Sequence, residues 1–244
     1  FNIGHTATGI SLASGLAKAR DLAGGTENVV VVIGDGALSG GEAFEGLNVI
    51  GEMGTNFIIV FNDNDQSISE NHGGMYRKFK ELRDTNGMAE DNLFRALGLA
   101  YRYVADGHDT EELIRVFSEE KDAQRPIVIH IHTQKGKGLS FAEDDPEGWH
   151  RHAPFHIESG IAKTPSVPDP YAVATVDFVL ETARKNPNFV YLSAGIVGGI
   201  NLSPADRAQL GSQYLDVGIA EEHAVAMASG LARGGARPIF GTYS

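Results

Sequence analysis

Cysteine is absent from the 244 residues, which excludes a disulfide framework, zinc held by thiolates and a thiol nucleophile together. No stretch approaches the roughly 20 consecutive apolar residues that a membrane-spanning helix needs. The N-terminus also lacks the basic and then apolar pattern of a signal region. Positive charge is scarce, with 20 Lys and Arg against 32 Asp and Glu and a net charge of −12. No block of basic residues forms the footprint of nucleic-acid binding. Repeats at solenoid periods and low-complexity tracts are missing too. These absences point to a globular chain with no nucleic acid and no membrane among its partners, and a cytoplasmic setting fits the lack of cysteine.

The 42% hydrophobic content is enough for one large or two modest cores. The chain starts at Phe1 on a glycine-rich stretch and stops at Ser244 just after an apolar run, and we read it as a fragment of a longer protein. Small residues and Leu/Ile at helical spacing over Thr8 to Ala19 lead through Gly24-Gly25 to the apolar run Val29 to Ile33. Glu42 to Met53 places Phe44, Leu47 and Ile50 on one helix face before a second apolar run, Phe57 to Phe61. That is a βαβ unit with parallel strands. The pattern continues with a helix at Asp91 to Leu97, a strand at Tyr101 to Val104, a helix at Thr110 to Lys121 and a strand at Ile127 to Ile131. The expected fold is α/β, a doubly wound and mainly parallel sheet.

From Thr133 to Asp169 periodicity gives way to glycines, prolines and histidines. Beyond it, helices at Ala172 to Arg184 and Glu221 to Arg233 alternate with strands at Val190 to Leu192, Tyr214 to Val217 and Arg237 to Gly241. The expected organisation is a domain over 1–150, a linker over 151–169 and the start of a second α/β domain over 170–244.

Chemistry concentrates at Gly34-Asp35-Gly36, directly after the first buried strand, and at Asn62-Asp63-Asn64, at the end of the second. In open parallel sheets the strand C-terminal edge is where ligands bind, and helix N-termini there present N–H groups to anions. Glycines beside Asp35 let the backbone approach a phosphate. A carboxylate and an amide oxygen on neighbouring strands, with a backbone carbonyl just beyond, are hard oxygen ligands suited to Mg²⁺ bridging two phosphates. Either triplet alone is read as a turn or a solvated loop; it is their joint placement, 29 positions apart from Asp35 to Asn64, that points to a site.

That pair matches the thiamine diphosphate motif, and the flanking residues resemble one family that uses it. Asn62-Asp63-Asn64-Asp65-Gln66-Ser67-Ile68-Ser69-Glu70-Asn71 is similar to the NDNxMSISEN stretch of 1-deoxy-D-xylulose-5-phosphate synthases, and Gly4-His5-Thr6-Ala7-Thr8 to their GHSST segment. Asp106-Gly107-His108-Asp109 matches DGHD, Thr133-Gln134-Lys135-Gly136-Lys137-Gly138 resembles TKKGRG, and Asp216 to Ala224 resembles DVAIAEQHA.

The resemblance implies that Asp35, Asn64 and the carbonyl of Gln66 hold Mg²⁺. It further implies that His5, Thr6, Ala7, Gly34, Gly36, Ala37, Asn64 and Lys135 line thiamine diphosphate, that the two domains are of diphosphate-binding and pyrimidine-binding type, and that the protein is a homodimer. Glu221 would hydrogen-bond the aminopyrimidine ring, favouring the tautomer that takes a proton from the thiazolium. Taken alone, Glu221 is also a residue that the helix dipole favours at an N-terminus. His5 and His150 are candidate catalytic groups, His150 standing eleven positions after Leu139, where the family has a tyrosine. Tyr243 and Ser244 resemble the start of a substrate-phosphate site. His152 and His156 lack regular metal-ligand spacing and read as solvated or substrate-facing.

The implied reaction joins a 2-oxo acid such as pyruvate, with decarboxylation, to an aldehyde such as glyceraldehyde 3-phosphate. The alternatives are transketolase-type ketol transfer between sugar phosphates and a non-catalytic cofactor-binding module. One departure from the family stands out: only 34 residues separate Asn71 from Asp106, where the synthases have a long segment.

Overall fold

The computed structural model describes residues 1–2, 4–164, 167, 169–196 and 202–242. The chain folds as two compact units, the first Phe1–Ser67 with Gly73–Gln134, the second Ile68–His72 with Lys135–Ser244.

In chain order the first unit contains α1 (Gly9–Leu22), β1 (Val30–Gly34), α2 (Asp35–Leu38), α3 (Gly41–Ile50), β2 (Phe57–Asp63), α4 (Gly74–Asp84), α5 (Leu93–Ala96), β3 (Ala100–Val104), α6 (Thr110–Glu120) and β4 (Pro126–His132). The four strands form one parallel sheet in the order β1-β2-β4-β3. Because side chains alternate across a strand, the run Phe57 to Phe61 feeds two cores at once. Phe57, Ile59 and Phe61 face Ile10, Ala13 and Ala17 of α1, Leu47 and Ile50 of α3, Phe79 and Leu82 of α4, and Phe94 of α5. Ile58 and Val60 face the opposite way, where Val104, Val116, Ile127 and Ile129 close the second core. Helices on both faces make the sheet doubly wound. Full burial of each of Phe57, Phe61, Phe79 and Phe94 contributes about 1.5–3 kcal/mol.

The small residues of α1 pack inside the unit. Ala13 and Ala17 are buried, and a Cβ on Gly46 of α3 would stand 2.8 Å from Ile10 Cγ2, so these small side chains serve helix-to-helix approach within the chain. Helix α4 lies in a segment where the sequence suggested no element. Its charged face hides the spacing of its buried residues Tyr76, Phe79 and Leu82. The helix expected over Asp91 to Leu97 is shorter, starting after Asn92, whose side chain caps it by accepting from Phe94 N and Arg95 N.

The second unit contains α7 (Ser140–Asp144), α8 (Pro170–Lys185), β5 (Phe189–Ser193), α9 (Pro204–Leu210), a single 3₁₀ turn (Gly211–Gln213), β6 (Tyr214–Asp216), α10 (Glu221–Arg233) and β7 (Arg237–Gly241). Its strands are parallel in the order β6-β5-β7, over a core of Val179, Ala183, Phe189, Tyr191, Leu202 and Leu210. The expected limit at residue 150 falls inside this unit rather than at its edge. Residues on both sides of 150 share one aromatic cluster, in which Trp149 stacks on Phe141 and His152 and meets Phe155 edge-on. Within the segment expected to be a linker, Phe155 and Ala162 form an antiparallel bridge. No helix among the described residues is long and apolar enough to cross a membrane.

Candidate functional site

The parallel register aligns Gly34 of β1 with Asn62 of β2. Asp35 and the Asn62-Asp63-Asn64 turn therefore leave the same sheet edge side by side. Asp35 opens α2 directly after the extended Gly34 and is 3% exposed. Burial, and secondly the charge of Asp63, push its carboxyl up to about 6. A buried anion beside another anion is a place where a cation relieves both costs.

Beyond β2 the chain turns sharply. Asp65 takes a left-handed conformation (φ 62°), its N–H donates to Asp63 Oδ1 at 3.1 Å, and Gln66 N donates to Asn64 Oδ1 at 3.3 Å. The residues before α1 are held from below. Ala7 is buried with φ 73°, a conformation disfavoured for a residue with a Cβ, and a Cβ on Gly40 would lie 2.5 Å from that of Ala7. Gly40 thus lets the His5-Thr6-Ala7 turn sit against the junction of α2 and α3. The expected diphosphate-lining residues of this unit, His5, Thr6, Ala7, Gly34, Gly36, Ala37 and Asn64, belong to these turns.

Beneath them lies a buried polar network that no sequence motif announces. Arg83 NH1 donates to both oxygens of Asp63, at 2.8 and 2.6 Å, and its NH2 reaches Asp65 Oδ1 at 2.8 Å. His130 Nε2 lies 2.9 Å from Asp63 Oδ2 and its Nδ1 2.7 Å from Tyr101 Oη. A carboxylate only accepts, so His130 donates through Nε2 and accepts from Tyr101 through Nδ1. Burial favours neutral His130. Burial alone would raise the Asp63 carboxyl, but bonds from His130 and Arg83 outweigh it and hold Asp63 below its usual range.

A further sequence match, Asp106 to His108, is a joint of the same unit. Asp106 Oδ1 accepts from His108 N, while Gly107 N donates to His132 O. His108 Nε2 then accepts from Gln134 N at 2.8 Å, so the Asp-Gly-His turn fixes where the chain leaves β4.

In the second unit Glu221 is the first residue of α10. Its Oε2 is buried without a hydrogen-bond partner, which is costly for a charged group. Upstream, Asp216 Oδ1 accepts from Gly195 N and Gly218 N, both at 2.9 Å, and Oδ2 accepts from Tyr214 Oη at 3.2 Å. This pins the loops that follow β5 and β6 and thereby the entry to α10. Lys135 Nζ lies 3.0 Å from His150 Nδ1. An ammonium can only donate, so that ring nitrogen accepts and the proton of neutral His150 resides on Nε2. His152 stacks on Trp149 with ring centroids 4.0 Å apart and directs Nδ1 to its neighbour's carbonyl, Ala153 O. Among the described residues no group of three His, Asp or Glu is arranged to hold a metal. Tyr243 and Ser244 lie outside the described residues.

Comparison with known proteins decides the relationship. A family model described as 1-deoxy-D-xylulose-5-phosphate synthase matches residues 1–91 and 84–133. The chain belongs to that family. Among curated synthases, that of Clostridium acetobutylicum is 37% identical over 279 positions, covering all of this chain and 45% of the relative. That of Natranaerobius thermophilus is 36% identical, covering all of this chain and 44% of the relative. The chain thus spans less than half the length of these curated synthases. Among solved structures, the transketolase from Campylobacter jejuni aligns over 97% of this chain and 46% of its own, at 17% identity and a TM-score of 0.45.

An alignment of 279 positions against 244 residues leaves at least 35 positions opposite gaps in this chain. The family match falls in two segments that overlap over residues 84–91, inside the short connection that follows Asn71.

Proposed function

We propose that the protein carrying this chain is a thiamine diphosphate- and Mg²⁺-dependent transferase that joins pyruvate, with loss of carbon dioxide, to glyceraldehyde 3-phosphate, giving 1-deoxy-D-xylulose 5-phosphate. The observation that carries the reading is the alignment of Gly34 with Asn62, which sets buried Asp35 beside the Asn64 turn. The donor set is oxygen only, one carboxylate with amide and backbone oxygens, the chemistry Mg²⁺ selects. Asp35, Asn64 Oδ1 and the Gln66 carbonyl would hold the ion; His5, Thr6, Ala7, Gly34, Gly36, Ala37 and Lys135 would line the cofactor.

The bound thiazolium supplies the electron sink that lets a 2-oxo acid lose carbon dioxide. The chain's own residues supply position and proton control. The unpartnered Oε2 of Glu221 fits a carboxylate waiting for a ring nitrogen of the cofactor. His150, with its proton on Nε2, would act first as a hydrogen-bond donor to a substrate oxygen, and His5 would be a second polar group near the reacting atoms. Tyr243 and Ser244 would begin the substrate-phosphate site. Homodimerisation and a cytoplasmic setting go with this reading.

The test is a donor assay on the intact protein, following carbon dioxide release from pyruvate with glyceraldehyde 3-phosphate as acceptor, with and without Mg²⁺. Release dependent on thiamine diphosphate and Mg²⁺ supports the reading. Turnover of ketose phosphates in place of pyruvate would turn it to ketol transfer. Cofactor binding without any turnover would leave a binding module.

A further inference from the structure

We propose that Arg83 is a positioning residue for the metal-holding turn, fixing Asn64 and Gln66 through Asp63 and Asp65. The proposal rests on the Mg²⁺ reading of that turn and assigns to α4 a role that the motif does not contain.

Each oxygen of a carboxylate offers two acceptor positions. On Asp63 all four are taken: Oδ1 accepts from Arg83 NH1 and Asp65 N, and Oδ2 accepts from Arg83 NH1 and His130 Nε2. Asp63 therefore has no lone pair to give a metal. Of the two buried carboxylates at this edge, it braces and Asp35 ligates.

The guanidinium does more than neutralise Asp63. Its second arm holds Asp65 at 2.8 Å, and Asp65 is the residue whose left-handed backbone sets the turn between Asn64 and Gln66. One planar fork thus grips the residues on either side of Asn64, which also receives Gln66 N on its side-chain oxygen. A lysine has the charge but cannot span two carboxylates with fixed geometry.

Arg83 lies in the last turn of α4, one residue before the stretch where the two segments of the family match overlap. The connection that follows α4 is anchored there. Gly87 N donates to Leu82 O at 2.6 Å, and at φ 76° a Cβ on Gly87 would stand 2.5 Å from Tyr103 Cβ. Only glycine closes this turn, which seats the end of α4 on β3 and with it the reach of Arg83.

The test is Mn²⁺ binding to the intact protein, followed by electron paramagnetic resonance with thiamine diphosphate at saturation, beside the thermal midpoint of each variant. Arg83→Lys and Asp65→Asn are compared with wild type. Asn tolerates the left-handed backbone, and the Asp65 side chain is 57% exposed, so Asp65→Asn keeps the fold if Arg83→Lys does not. The expected result is Mn²⁺ affinity weakened about tenfold by Arg83→Lys, and in the same direction by Asp65→Asn, as loss of groups that orient metal ligands commonly gives. Lowered thermal midpoints with Mn²⁺ affinity unchanged in the folded variants would overturn the positioning role and leave the Mg²⁺ reading intact. Failure of wild type to bind Mn²⁺ would overturn both.

Discussion

The Asn64 turn of the first unit has its polar needs met by its own unit, whereas the start of α10 in the second does not. Under the Asn64 turn, Asp63 is saturated by Arg83, His130 and a backbone N–H. At the start of α10, Glu221 keeps a buried oxygen with no partner. An internal brace can be completed by the chain that needs it, because holding a loop in place requires no external group. A residue meant to act on a ligand must leave an atom unsatisfied until the ligand arrives, and that cost is characteristic of functional positions.

The comparison breaks most readily at Asp35. Asp35→Asn should weaken Mg²⁺-dependent binding of thiamine diphosphate by at least about tenfold, read by calorimetry on the intact protein. The same change should stabilise the metal-free protein. A carboxyl held near 6 in the fold against an ordinary value near 4 binds more protons folded than unfolded in that window, so stability falls as pH rises from about 4 to 6. Removing the charge recovers about 3 kcal/mol above pH 7, at roughly 1.4 kcal/mol per pKa unit. Denaturant melts at pH 5 and pH 8 check the sign: wild type should gain stability at the lower pH relative to Asp35→Asn.

Glu221→Gln sharpens the contrast in the other unit. It should lower turnover by roughly a hundredfold or more, as loss of acid–base assistance does, while cofactor affinity changes far less and the thermal midpoint holds or rises. A large fall in stability would instead make Glu221 a structural cap.

Asp216→Ala should behave as a brace, by contrast. Stripping an acceptor from two backbone N–H groups costs about 1–3 kcal/mol, visible as a lower denaturation midpoint. The smallest effect is expected at Asn92, where Ala removes the cap of α5 for about 1 kcal/mol and leaves cofactor binding unchanged.

Much of this is legible in the residues. The alternation of apolar runs with helical spacing implies the parallel sheet, and Gly-Asp-Gly with Asn-Asp-Asn marks the strand ends where the site is proposed, because strand ends and glycine turns are local signals. The brace is not legible. Arg83 sits among Lys80, Glu81 and Asp84 and reads as one more charge on a solvated helix face, and nothing local shows that its partner lies 20 positions earlier. His130, inside Ile127 to Ile131, reads as an interruption of an apolar strand until Asp63 and Tyr101 are seen beside it. Helix α9 carries a usable signal that the expected elements above leave out, the Ser203-Pro204-Ala205-Asp206 start that forms a capping box. The Trp149 cluster has no such signal, since stacking across a proline-rich loop has no period.

The register between β1 and β2 has a consequence for how such chains can change length. Each residue advances a strand by about 3.3 Å, whereas a Mg²⁺–oxygen bond is about 2.1 Å long. One residue inserted in either strand would carry Asp35 or Asn64 out of bonding range of the ion proposed to lie between them. Insertions in the helices and turns between them leave the strand ends where they are. The two strands act as a ruler whose graduations are fixed, and the two segments of the family match meet over residues 84–91, after both marks have been set.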